Sequence, residues 1–347
     1  MTLLYPGVKR LSQLTIDTNK DWDTRRIENL GTPLTDADAL SRGLLDIYNC
    51  DYGLNWVDLG AITGSNILSM AYLGNGIVIF GDNARHVFRS TNWGLTWADL
   101  GIIASLGIIC MASLGNGIAI LGDGANHVYR STDYGATWAD LGVIATNDVM
   151  AMAYSGNGIA ILSDNSRHIY RSTDYGATWA DLGVIPGAAI WAFAYLGNGI
   201  VVGGTVHVTG HVYRSIDYGA TWADLGECAS NQIHCMANLG NGVAILGDWA
   251  NHVFRSMDYG LNWVDLGLIA TGPVRVMTNL DKGVAVIGCQ DWHIYRSTDY
   301  GFTWADLGVI TSSSIYSMAY LNNGITILGN WNGHVFRSTS AFQLWQG

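Results

Sequence analysis

The sequence predicts an all-β fold: a seven-bladed propeller of four-stranded antiparallel blades, its ring closed by an N-terminal strand. Three observations predict it. The segment typified by RSTDYGATWADLG recurs with its Trp at 56, 97, 138, 179, 222, 263 and 304, in steps of 41 residues apart from one of 43. The 347 residues include 44 Gly and only 4 Pro, with 49% hydrophobic and 13% charged, a balance suited to many short strands joined by glycine turns. Helical periodicity is absent, and each unit divides into four short runs rich in β-branched or aromatic residues.

In the second unit the runs are Ile108–Leu114, Gly117–Asp123, His127–Thr132 and Thr137–Gly142. Gly115-Asn116-Gly117 between the first two is a hairpin turn, not a phosphate loop. Strands 1, 2 and 4 each occur seven times, and strand 3 has a degenerate extra copy near Leu45–Cys50. The last unit lacks its own strand 4, because Ser340-Ala341-Phe342 has lost the Asp and Gly of the turn. Trp56–Gly60, which has no strands 1 and 2 before it, is therefore predicted to complete the seventh blade and remove an open sheet edge. Residues 43–347 form the propeller and residues 1–42 an attachment arm.

A net charge of −11 with three Lys (Lys9, Lys20, Lys282) argues against nucleic acid, and no apolar run approaches the roughly 18 residues of a membrane span. MTLLYPGVKR has no charged region followed by an apolar one, so no ordinary secretory signal is expected. Cys110 and Cys235 share a repeat column with Ser69, Ala151, Ala192, Val276 and Ser317 and read as small buried residues. Cys50, Cys228 and Cys289 lack metal-site spacing, and a Cys228–Cys235 bridge stays open. His86, His127, His168, His211, His252, His293 and His334 open strand 3, too far from the axis to share a metal, and read as a repeated structural hydrogen bond. Arg89, Arg130, Arg171, Arg214, Arg255, Arg296 and Arg337 are expected to pair with the strand-4 aspartates Asp58, Asp99, Asp140, Asp181, Asp224, Asp265 and Asp306. No metal and no cofactor is expected.

The turn Ser131-Thr132-Asp133-Tyr134-Gly135-Ala136-Thr137-Trp138 resembles the Asp box, or BNR repeat, S-x-D-x-G-x-T-W. Its acidic positions are Asp51, Asp133, Asp174, Asp217, Asp258 and Asp299, with Asn92, Asn55, Asn262 and Asn49 as departures from the pattern. Such an Asp accepts hydrogen bonds from turn N–H groups, the Gly permits positive φ, and the Trp packs between sheets. The resemblance extends to sialidases, but glycosidases of the usual kind need two carboxyl groups across the scissile bond. Here Glu occurs only at Glu28 and Glu227, Arg26-Ile27 is followed by Glu28 instead of Pro, and nothing assembles around Asp148 or Asp291. The expectation is a non-enzyme, with no catalytic residues.

The seven internal copies differ at one end. The 1→2 and 3→4 turns, at one rim, are nearly invariant, whereas the 2→3 and 4→1 connections vary. One column entering strand 1 reads Leu68, Ile109, Met150, Trp191, His234, Arg275 and Tyr316. Trp191, Trp249, Trp292 and Trp331 fall on the variable end of blades 4 to 7, together with His207, His234, Arg275, Asp291 and Tyr316. Aromatic planes among hydrogen-bonding side chains suit a sugar or a protein epitope, so these nine are the candidate ligand-binding residues.

Residues 22–42, with Ile27-Glu28-Asn29-Leu30-Gly31-Thr32-Pro33 and then Asp36-Ala37-Asp38-Ala39, resemble a segment that precedes the distal domains of phage and viral tail fibres. That resemblance implies a homotrimeric virion protein, placed on a virion or extracellular surface. Its arm would contact other virion proteins, and its propeller would bind a host surface glycan or protein receptor. The alternatives are a sialidase-like glycoside hydrolase and an intracellular assembly scaffold resembling the Asp-box factors of photosystem assembly.

Overall fold

The computed structural model describes residues 52–206, 209–322 and 324–339. Within them, 28 strands form seven four-stranded antiparallel sheets. Blade 2 is typical: Ile108–Gly115, Ile118–Asp123, His127–Ser131 and Ala139–Val143 follow one another from the axis outwards. Strand 1 of each blade packs on strand 1 of its neighbours, so these strands line the centre. Burial follows radius: Ala119 to Asp123 of strand 2 are all buried, whereas strand 4 is largely exposed. The predicted closure is present. Asn55–Ala61 pairs antiparallel with His334–Thr339, with Trp56 opposite Ser338, and supplies the outer strand of blade 7. The extra strand-3 copy at Leu45–Cys50, the arm at 1–42 and Asp51 lie outside the described residues.

Apolar side chains of adjacent sheets interdigitate. Leu73, Ile79 and Val87 of blade 1 meet Ile108, Leu121 and Tyr129 of blade 2, and Trp138 covers the cluster. Each fully buried aliphatic in such a layer contributes roughly 1.5–3 kcal/mol. The sheets approach closely where strand 2 ends. A Cβ on Gly329 of blade 7 would lie 2.5 Å from Ile67 Cγ2 of blade 1, so the closing contact of the ring requires glycine there.

One rim is built from the repeated S-x-D-x-G-x-T-W turns. In blade 2, Ser131 Oγ donates to Asp133 Oδ1 at 2.8 Å, and Thr137 donates its N–H at 2.9 Å and its hydroxyl at 2.6 Å to the same carboxylate. Gly135 has φ +72, and a Cβ there would lie 2.9 Å from Ile79 of the preceding blade. In blade 1, Asn92 makes the same turn with a neutral amide, accepting from Thr96 N–H at 3.0 Å and donating to Thr96 Oγ1 at 2.8 Å. The position therefore works as a hydrogen-bond acceptor, for which charge is unnecessary. Among the described residues no group of three or more His, Cys, Asp or Glu is placed to hold a metal.

The expected pairing of the Arg column with the strand-4 aspartates is wrong. Those carboxylates accept from the His column instead, His86 Nδ1 to Asp99 at 2.9 Å and likewise in all seven blades. Strand parity is the reason. Asp99 lies opposite Phe88, on the face that Phe88 shares with His86, and Arg89 points to the other face. From there Arg89 Nε donates to the carbonyl of Tyr134, in the turn of the next blade, at 2.7 Å. The link recurs around the ring and closes it, through Arg296 to Tyr52 at 2.6 Å and Arg337 to Trp93 at 2.9 Å. Cys110, Cys228, Cys235 and Cys289 are free thiols, so Cys228 and Cys235 are not bridged.

Candidate recognition site on the variable rim

The variable column owes its position to a β-bulge. In each blade the first residue of strand 1 pairs with the last of strand 2, as Ile190 with Thr205, and the third residue takes the next pairing, as Ala192 with Gly204. The residue between them has no partner. This residue is Leu68, Ile109, Met150, Trp191, His234, Arg275 or Tyr316. A bulge re-aims its side chain. Trp191 is accordingly half-buried between the buried Ile190 and Ala192. The first residue of the 2→3 loop is tied alongside, because its N–H donates to the carbonyl of the residue just before strand 1 of the same blade, as Trp249 to Gln232 and Trp331 to Ser314, both at 2.9 Å. Each blade thus presents a pair: a bulge residue and a loop residue.

In blades 4 to 7 these pairs join into an unbroken arc. The Trp191 ring meets His234 edge-on with centroids 5.5 Å apart, and His234 lies 4.8 Å from Trp249. The Arg275 guanidinium sits between two aromatic faces, 4.2 Å from the Trp249 centroid and 4.7 Å from that of Tyr316. Tyr316 then lies 4.9 Å from the ring of Trp331, a residue 44% exposed. Polar contacts run along the same path. Arg275 Nη2 donates to the Tyr316 hydroxyl at 3.0 Å, and Nη1 lies 3.3 Å from His234 Nδ1. His234 Nε2 is 3.2 Å from Gln232 Oε1. An Arg donor on one nitrogen and an amide oxygen at the other assign the neutral Nε2–H tautomer.

Burial, and then the Arg275 charge, push His234 down to about 4, so the imidazole is uncharged at neutral pH. Burial also lowers Arg275, which stays cationic because its reference value is so high. No carboxylate pairs with Arg275 among the described residues. Trp191 Nε1 and Arg275 Nε are buried without a hydrogen-bond partner, and Gln290 Oε1 and Asp291 Oδ1 are likewise unpaired in the adjoining blade 6 loop.

Of the nine candidate residues, six thus touch in sequence along the arc: Trp191, His234, Trp249, Arg275, Tyr316 and Trp331. Trp292 and Asp291 share the rim but stand apart. Trp292, 43% exposed and left-handed at φ +78, receives the Ile310 N–H on its carbonyl, which places it over the outer strands. Asp291 accepts from Thr271 Oγ1 in the preceding connection. His207 lies outside the described residues. The bulge was not legible in the sequence, because it is a difference between two pairings. A cavity of about 560 Å³ between blades 7 and 1, lined by Thr63, Asp82, His86, Phe88 and Trp97, was also missed. In blades 2, 3 and 6 a Tyr hydroxyl accepts from the connection backbone, as Ser105 N–H to Tyr129 at 2.9 Å, whereas at this cavity Phe88 takes that place and Thr63 Oγ1 donates to Asp82 at 2.7 Å. None of the arc residues lines the cavity.

No protein-family model matches the chain, and no curated protein does. Among solved structures it is similar to a YCF48 bound to a D1 peptide, with a TM-score of 0.69, 17% identity, and coverage of 84% of this chain and 98% of that one. It is also similar to YCF48 from Cyanidioschyzon merolae (TM-score 0.66, 13% identity, 82% and 98% covered). A third similar structure is the WD40 propeller domain of Doa1 (TM-score 0.68, 11% identity, 85% and 100% covered). At identities this low the likeness shows the propeller fold alone.

Proposed function

We propose that this protein is a non-enzymatic interaction propeller that holds a segment of a partner protein on the rim of blades 4 to 7. One observation carries the reading: in a framework repeated seven times, only these blades replace aliphatic bulge residues with a stacked aromatic–His–Arg arc around a cation that no carboxylate pairs among the described residues. The half-buried Arg275 guanidinium keeps N–H bonds beyond those to His234 and Tyr316, and a bound partner that accepts from them offsets the cost of holding that charge partly out of water. A YCF48 propeller solved with a peptide supports the same use of this architecture. The role is that of an assembly or recognition module, with residues 1–42 as its attachment segment.

A second reading is a tail-fibre-like head that binds a host glycan. The half-exposed rings of Trp331 and Trp292 favour it, together with the N-terminal segment. Peptide and glycan arrays probed with the whole chain separate the two. On the first reading, peptide binding weakens about tenfold or more in Trp249→Ala and Trp331→Ala and is unchanged in Trp292→Ala. Retention only on glycans, with loss in Trp292→Ala, would favour the second, and unchanged binding in all three variants would remove both.

A further inference from the structure

The groups that the arc still offers to a ligand are donors. They are the remaining N–H bonds of Arg275 Nη1 and Nη2, each of which carries two and makes one contact, to His234 and to Tyr316, whereas Trp191 Nε1 and Arg275 Nε are enclosed and out of a ligand's reach. The Tyr316 hydroxyl accepts from Arg275 and so keeps its own proton to give. His234 is saturated, accepting from Arg275 on one nitrogen and donating to Gln232 from the other. The arc therefore carries one full positive charge, partly desolvated between two rings and facing no carboxylate, in a chain of net charge −11. A cation held out of water without a counter-ion is costly, and an anion seated on it offsets that cost.

The ring faces narrow the choice. Sugar rings pack on open aromatic faces, but here the guanidinium occupies a face of Trp249 and a face of Tyr316. The centre of the arc offers hydrogen-bond donors in place of a flat platform. Resting on the peptide-binding reading above, we propose that Arg275, with the Tyr316 hydroxyl, seats a carboxylate of the bound peptide segment. The acidic group comes from a Glu or Asp side chain or from a chain terminus. The apolar arc of blades 1 to 3 has no equivalent.

Indole N–H resonances, assigned with Trp191→Phe and Trp249→Phe, report the site directly. The probes are acetyl-Ala-Ala-Glu-Ala-Ala-amide, its Gln analogue, pentaalanine with a free C-terminal carboxylate, and N-acetylneuraminic acid. The Glu peptide should shift the Trp249 resonance saturably, and the Gln peptide should bind about tenfold more weakly or worse. Arg275→Gln should erase that difference, and Tyr316→Phe, which keeps the charge, should weaken the Glu peptide by about threefold. Free-acid pentaalanine matching the Glu peptide would identify a chain terminus as the source. Equal binding of the Glu and Gln peptides would overturn the carboxylate and leave the peptide surface standing. A response to the sugar acid alone, or to no probe, would overturn both.

Discussion

The arc of blades 1 to 3 and the arc of blades 4 to 7 stand on the same scaffold and do opposite things with it. In both, a bulge in strand 1 delivers one side chain to the variable rim. Blades 1 to 3 place Leu68, Ile109 and Met150 there, and none of the three makes a polar contact. Blades 4 to 7 place Trp191, His234, Arg275 and Tyr316 there, linked across three blade boundaries by ring and hydrogen-bond contacts. The first arc shows that the fold needs only an aliphatic residue at the bulge. The polar arc is therefore something added to the fold, with a cation that faces no carboxylate among the described residues.

The sharpest way to break the comparison is to convert one arc into the other. His234→Leu, Arg275→Ile and Tyr316→Met together should abolish binding while thermal stability stays level or rises, since replacing a buried polar network with apolar residues is often neutral or stabilising by about 1–4 kcal/mol. A large fall in melting temperature would mean that the arc holds the ring together. The shared framework supplies the control. Arg130→Met and Arg214→Met each remove one inter-blade donor, to Tyr175 and Tyr259, and should cost about 1.5–3 kcal/mol equally in both halves by chemical denaturation.

Acidity separates the two rims. His234 titrates near 6.5 when unfolded and near 4 when folded, because burial and Arg275 disfavour its charged form. Between those values the unfolded chain holds the extra proton, so stability falls as pH drops through that window and levels off below it. His234→Leu should flatten this limb in pH-dependent melts. The turns of the constant rim respond lower. Burial raises Asp174, but hydrogen bonds from Thr178, Ser172 and Ala177 outweigh it and hold the carboxyl at about 2. Its contribution is present above the ordinary 3.8 and is lost as pH falls towards 2. The smallest effect expected is that of Asp174→Asn at neutral pH, within about 0.5 kcal/mol, because Asn92 already builds that turn without charge.

Seven blades, the closing strand at Asn55–Ala61 and the turn chemistry were legible because each recurs, and a feature present seven times cannot be confused with local propensity. The divergent column was legible for the same reason, against the constancy of its neighbours. Three things were not. A cross-strand ion pair is the natural partner for Arg89 in the sequence, although the parity of His86, Phe88 and Arg89 places its side chain on the face away from Asp99. Trp292 follows strand 2 as Trp249 and Trp331 do, but two further residues of chain carry it outwards to the connection at Ile310. The open aromatic planes read from composition became, for Trp249 and Tyr316, surfaces that clasp a guanidinium.

Periodicity by itself determined the architecture of this protein. A unit of about 41 residues whose apolar strands need a neighbour on each side can bury them only by repetition, and the missing outer strand at one end matches the spare one at the other. Tertiary structure decided which side chains meet. Residues 41 to 43 apart in the chain come within contact distance only once the blades are set side by side around the axis, and a one-residue bulge then turns each toward its neighbour. Whether Trp191, His234, Arg275 and Tyr316 form a site or four separate positions depends on that geometry, which no single repeat contains.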